Sequence, residues 1–289
     1  MRQQEIMMRA SRYYLAAFGV SLVLLSSVAT AHAEKTGKLY VVGMGPAGPD
    51  LTAPRVLSIV EKADFLLCSP RMPERFSRFG ARIDPRKVAF DPWKGIFDDG
   101  PERKDHESRD AAREKQRKKV QDFVLEKIKA GKTVVIMDGG DPCVYGPTLS
   151  HLLVGLDDRY YEVIPGMSAF NAAAAALKRS LTCSDTRFVM LTSPQSLFGD
   201  GAEPKDDILK DISKYKTTMV LYMSLRNMKE LAARFRAYYP PQLPIAVVYY
   251  AGYPDKERVL RSTLATIDKD ISAIDEKWLG LVVIGECVR

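Results

Sequence analysis

Histidine, cysteine and tryptophan are scarce in this 289-residue chain, with three, four and two residues respectively. His32 closes an N-terminal apolar stretch, His106 sits in a charge run and His151 falls on a predicted helix. That scatter, with no C-x-x-C pair to supply thiolates, gives no metal site. Cys68, Cys143, Cys183 and Cys287 lie in apolar or strand-like contexts, so reduced, buried thiols are expected. No segment interleaves basic with aromatic residues, which argues against a nucleic-acid partner despite a formal charge of +7. Internal repeats and low-complexity tracts are missing as well.

Long apolar runs are absent but for Leu15–Leu25, which is short for a membrane span. Arg2, Arg9 and Arg12 precede it and Ala31-His32-Ala33 follows, the order of a secretory signal cleaved after Ala33. A periplasmic or otherwise exported protein is therefore expected, with a retained membrane anchor as the alternative. Losing Arg2, Arg9, Arg12 and Glu5 leaves the mature chain at +5, which suits an anionic small molecule.

What remains is an ordinary globular composition, 46% hydrophobic and 27% charged. The β-branched runs at 38–42, 65–68, 87–90, 133–137 and 161–164 read as strands. Between them come a helix capped by Thr52 and running to about Lys62, an irregular or weakly helical Arg71–Arg82, and a helix near Thr148–Leu156. The mixed charges from Asp98 to Lys119 read as a solvated helix with pairs such as Glu114 and Lys118. It gains an apolar face at Val120, Phe123, Val124 and Ile128. An alanine-rich helix spans Asn171–Lys178. This alternation predicts a parallel sheet with helices on both faces. Beyond Thr182, strands at 188–192, 218–223, 245–250, 259–263 and 280–284 accompany only two helices, at about 206–214 and 228–238, which predicts a mixed sheet. The expected division is a signal at 1–33, an N-terminal α/β domain at 34–170 and a C-terminal α/β domain at 171–289.

Two glycine loops follow strands. Gly43, Gly45 and Gly48 spell G-x-G-x-x-G, the spacing of an NAD-dependent oxidoreductase. Pro46, Pro49 and Pro54 delay the helix that this fingerprint opens, however, and Ser69 stands where an acid should hold the ribose. The second loop, Asp138-Gly139-Gly140-Asp141-Pro142-Cys143-Val144-Tyr145-Gly146, leaves the strand at 133–137, where open α/β sheets bind ligands.

Taken in order, Val42–Thr52, Ala63-Asp64, Gly139–Gly146, Ile164–Ala169, Leu221-Tyr222-Met223 and Arg261-Ser262-Thr263-Leu264 resemble the signature of the tetrapyrrole (corrin/porphyrin) methylases. The resemblance runs from about Leu39 to Val288. It implies S-adenosyl-L-methionine held in a cleft between two α/β domains, usually in a homodimer, with a tetrapyrrole as substrate. It also implies cofactor-binding positions at Pro46, Gly139, Gly140, Asp141, Val144, Ser168, Ala169, Met223 and Ala251. The uroporphyrinogen-methylating branch assigns acid–base roles to an Asp after the second strand and a downstream Lys; here the first is Ser69, and Lys94 is a loose match. A Lys common before Gly-Gly-Asp is Asp138 in this chain. Asp138 and Tyr145 are the proton-handling candidates by their place in the central loop. Arg71, Arg75, Lys94 and Arg226 are cations near strand ends that substrate carboxylates would want. The first loop differs from the Thr-Pro-x-Gly-Asn of the ribosomal-RNA branch, which favours a tetrapyrrole over RNA. An exported tetrapyrrole- or S-adenosylmethionine-binding module without transfer activity is the alternative function.

Overall fold

The computed structural model describes residues 37–96, 106–198 and 208–289. The expected signal segment, the start of the charge run and the first residues of the helix expected at 206–214 lie outside them.

The first half begins with β1 (Lys38–Gly43), α1 (Pro54–Lys62), β2 (Phe65–Leu67), α2 (Arg71–Ser77) and β3 (Val88–Phe90). It continues with α3 (His106–Lys129), β4 (Thr133–Asp138), the single turn α4 (Pro142–Tyr145), β5 (Tyr161–Ile164) and α5 (Ala169–Leu177). All five strands run parallel, in the order β3-β2-β4-β1-β5. Burial on both faces explains their near-continuous apolar runs. Val42, Val135 and Met137 pack with α1 and α2 on one face, and Leu39, Val41, Val134 and Ile136 with Val120, Val124 and Ile128 of α3 on the other.

The second half holds β6 (Phe188–Thr192), α6 (Pro194–Phe198), α7 (Ile208–Ile212), β7 (Thr217–Leu221), α8 (Met228–Arg236) and β8 (Pro244–Tyr249). After these come β9 (Arg258–Thr263), α9 (Ile267–Asp270) and β10 (Gly280–Ile284). Their order is β6-β7-β10-β8-β9, with only β6 and β7 parallel. This is the expected mixed sheet. One face packs on α8 through Met228, Leu231 and Phe235. The other receives Ala173 and Leu177 of α5, so the helix that follows the first sheet is buried against the second.

Several local expectations are corrected. Thr52 does not cap α1; Ala53 occupies that position, and Thr52 Oγ1 donates instead to the carbonyls of Met44 (2.8 Å) and Gly48 (3.1 Å), closing the first glycine loop. Residues 71–77 form a regular helix, and 148–152 wind as a π-turn rather than a longer α-helix. On α3, Glu114 pairs with Arg117, and Lys118 with Asp122 at 3.0 Å. The thiol expectation fails at three of four positions. Cys68 is free and buried, Cys143 is exposed, and Cys183 is joined to Cys287 by a disulfide. The disulfide pins the C-terminus beside the chain leaving α5, where Arg261 also donates to the carbonyls of Leu177 and Val288.

Candidate active site

Strands β1 and β4 are neighbours in register, Gly43 opposite Asp138, so the loops that leave them emerge side by side. Gly45 and Gly140 then form a small antiparallel bridge, N to O at 3.2 and 2.8 Å. The loop after β5 closes on both. A β-carbon on Gly43 would lie 2.4 Å from the Gly166 nitrogen, and one on Gly166 would lie 2.3 Å from the Gly140 oxygen. Three backbones thus meet at a distance that only glycine permits. At Gly140, φ is +77°, a conformation that L side chains rarely adopt.

Above this junction opens a cleft of about 300 Å³. Pro46, Gly139, Gly140, Asp141, Ser168 and Ala169 line it from the first half. Tyr222, Met223, Tyr250, Ala251, Tyr253 and residues 278–281 line it from the second. Asp141 caps α4 by accepting from the Cys143 N–H at 2.9 Å. Ser168 Oγ is 2.9 Å from the Tyr222 hydroxyl, and the Tyr222 ring stacks on Tyr145 with centroids 4.6 Å apart, joining the two walls. Burial pushes the Tyr222 hydroxyl pKa up. At the far end Gly252 lies against the first loop, where a β-carbon would be 2.6 Å from Leu51 Cδ1. Met223 and Tyr250 leave β7 and β8 with φ of +53° and +50°. Strain at non-glycine residues costs of order 1–3 kcal/mol and concentrates at functional sites. Glu276 Oε1 accepts from the backbone N–H groups of Trp278 (2.7 Å) and Leu279 (2.9 Å), and Tyr250 donates its hydroxyl proton to Oε2. That acid fixes the aromatic lip.

Of the positions singled out from sequence, Pro46, Gly139, Gly140, Asp141, Ser168, Ala169, Met223, Ala251 and Tyr145 line this one cleft. Val144 does not; it packs into the apolar cluster around α5. Asp138 lies behind the glycine loop, 2% exposed. Its Oδ1 accepts from Thr148 Oγ1 at 2.8 Å, its Oδ2 has no hydrogen-bond partner, and burial pushes its pKa up to about 7. Among the four cations, Arg75 reaches the cleft. Arg226 lies over the Trp278 ring at 4.6 Å, and Arg71 and Lys94 are exposed away from the lining. Sequence reasoning did not single out Tyr250, Tyr253 or Trp278. They come from turns of the second sheet, where no pattern separates a lining aromatic from a core one.

A family model described as Tetrapyrrole (Corrin/Porphyrin) Methylases matches residues 38–268. This chain belongs to the tetrapyrrole methylases. It is 26% identical to a cobalt-precorrin-4 C(11)-methyltransferase of Methanocaldococcus jannaschii over 262 residues, 89% of this chain and 90% of that protein. A uroporphyrinogen-III C-methyltransferase of the same organism is 26% identical over 88% of this chain and 98% of its own. Among solved structures, a cobalt precorrin-4 methyltransferase aligns at a TM-score of 0.64 and 25% identity, covering 87% of this chain and 96% of the other. The uroporphyrin-III C-methyl transferase of Thermus thermophilus, solved with S-adenosyl homocysteine, aligns at 0.62 and 21% identity and shares the fold, covering 88% and 99%. Tetrapyrrole methylases use S-adenosyl-L-methionine.

Proposed function

We propose that this tetrapyrrole methylase transfers a methyl group from S-adenosyl-L-methionine to a carbon of a precorrin- or porphyrinogen-like tetrapyrrole. The observation that carries the reading is the Gly45–Gly140 bridge at the base of an aromatic-walled cleft. The lining fits the cofactor. A β-carbon on Gly139 would meet only Arg75 Nη1, at 3.6 Å, so backbone amides and carbonyls are accessible there. Asp141 supplies an acid for an amino or hydroxyl group, and Met223 and Ala251 supply apolar surface for a purine. We assign Pro46, Gly139, Gly140, Asp141, Ser168, Ala169, Met223 and Ala251 to cofactor binding, with Val144 supporting them from below. When bound, the cofactor supplies an electrophilic methyl group on a sulfonium.

The chain's own contribution is chiefly orientation. The bridged loops and the strained turn at Met223 fix the cofactor, and the turn at Tyr250 with the Trp278–Leu279 lip holds the acceptor against it. Aromatic rings on both walls exclude water. Tyr145 stands on the cleft wall and is assigned to proton handling. Asp138 is separated from the cleft by the glycine loop and is assigned a positioning role.

The mature protein, residues 34–289, is proposed to act outside the cytosol. Three arginines, the short apolar run and Ala31-His32-Ala33 support this, as does the Cys183–Cys287 disulfide, a bond typical of oxidising compartments. Among the described residues no helix is long and apolar enough to cross a membrane, so a membrane tether would fall to the N-terminal run. A homodimer is the expected assembly. The alternative, an exported binding module without transfer, is favoured by Ser69 at the position where a related branch carries its acid.

Incubation with methyl-labelled S-adenosylmethionine and a panel of precorrins and porphyrinogens tests the reading, with label expected in one acceptor. Calorimetric binding of S-adenosyl homocysteine without any transfer would favour the binding module. No binding would remove the cofactor assignment.

A further inference from the structure

Besides Asp141, which caps a helical turn, Arg75 is the one charged side chain that lines the cleft. It rises from α2 into the lining. Nη2 donates to the Gly45 carbonyl at a long 3.4 Å, and the guanidinium lies 5.4 Å from the Phe76 ring centroid. Nε is buried with no hydrogen-bond partner. Among the described residues no carboxylate pairs with Arg75, whereas the partly buried Arg236 pairs with Asp268. Burial lowers the Arg75 pKa, opposed by the hydrogen-bonded Tyr253 hydroxyl, the neutral partner it has in the second wall. A guanidinium held largely out of water, with one donor unmet and only neutral partners, is costly unless an anion completes it. Its planar fork takes a carboxylate or a phosphate through two parallel N–H bonds, and of these the methyl-transfer reading brings only carboxylates.

Position points the same way. The side chain stands against Gly139, where a β-carbon would lie 3.6 Å from Nη1, while Gly140 faces Ala169 on the other side of the loop. Met223, Trp278 and Leu279 are each about half exposed at the mouth. The lining therefore presents aromatic and aliphatic surface with one partly buried cation behind it, the combination for a flat, hydrophobic ligand that carries an acid.

Resting on the methyl-transfer reading of this cleft, we propose that Arg75 is its carboxylate receptor. The acid comes from a side chain of the acceptor ring or from the amino-acid end of the cofactor, and three probes separate these. Uroporphyrin III carries ring carboxylates, S-adenosyl homocysteine carries the amino-acid carboxylate, and 5′-methylthioadenosine carries the nucleoside without it. Binding to the wild type, Arg75→Gln and Arg75→Lys is measured by fluorescence titration for the porphyrin and by calorimetry for the nucleosides.

The expected result is a loss of at least about tenfold in uroporphyrin affinity for Arg75→Gln, partial recovery in Arg75→Lys, and both nucleosides unchanged. Loss confined to S-adenosyl homocysteine would support the receptor and move its partner to the cofactor. Equal affinity of wild type and Arg75→Gln for all three probes overturns the proposal. So does an equal loss for all three, 5′-methylthioadenosine included, since only a structural role would then remain. A wild type that binds both nucleosides with equal affinity and does not bind uroporphyrin overturns the receptor and leaves the cofactor site standing. One that binds none of the three removes the transferase reading and the receptor together.

Discussion

Asp138 shows what burial does to one carboxyl. Its Oδ2 is buried with no donor beside it, so the proton is held in the folded chain up to a pH of about 7. Unfolded, the same group releases its proton at the ordinary carboxylate value. Between those two values the native state binds a proton that the unfolded state has lost, so this contribution to stability is present at acidic pH and disappears as pH rises through about 7. Asp138→Asn keeps an acceptor for Thr148 and cannot ionise. Chemical denaturation at about pH 5 and about pH 8 should show the variant gaining on the wild type at the higher pH by on the order of 2 kcal/mol. A parallel pH dependence in both proteins would mean that Asp138 is not the group responsible. Gly43 offers a steric test at the same scale. Gly43→Ala would set a β-carbon 2.4 Å from the Gly166 nitrogen, backbone against backbone. A loss of roughly 2 kcal/mol or more in stability is expected, with weakened S-adenosyl homocysteine binding, because the junction beneath the cleft must open.

Among elements, the disulfide has the clearest measurable effect. It joins the segment before β6 to the turn after β10, a sequence separation of 104, and so encloses every strand of the second sheet. Cys183→Ser with Cys287→Ser should lower unfolding stability by about 2–4 kcal/mol, read by denaturant titration against the oxidised wild type. This bond was not legible in the sequence: the cysteines are far apart, show no framework spacing, and their apolar settings suit buried thiols equally well. Strands fared better, because β-branched runs buried on both faces have few alternatives. The boundaries of β1, β5, β6 and β10 fall within a residue of expectation. Helix α2 was obscured by Pro73 and a surplus of arginine, and α1 lost its expected cap because Thr52 has better acceptors in the loop before it. The half of the cleft built from glycine and proline could be read ahead of the structure, since those residues announce unusual backbone. The half built from Tyr250, Tyr253 and Trp278 could not.

For the whole molecule, the proposed export and the proposed chemistry make separate demands. N-terminal sequencing of the protein from its native host should begin at Glu34, and alkylation without reductant should modify Cys143 but spare Cys183 and Cys287. Recovery of an intact N-terminus from membranes would instead identify a tether. An extracytoplasmic transferase also requires its sulfonium donor to be delivered across the membrane. If it is, S-adenosyl homocysteine should protect the two-walled cleft, raising the thermal midpoint in proportion to the logarithm of its concentration.

The covalent ring around the second sheet has one further effect. A protease that cuts once anywhere between the two half-cystines produces two termini but no separate fragments. The pieces stay on one molecule and can re-form the same strand pairings, so a nicked wild type should migrate as full-length until a reducing agent is added.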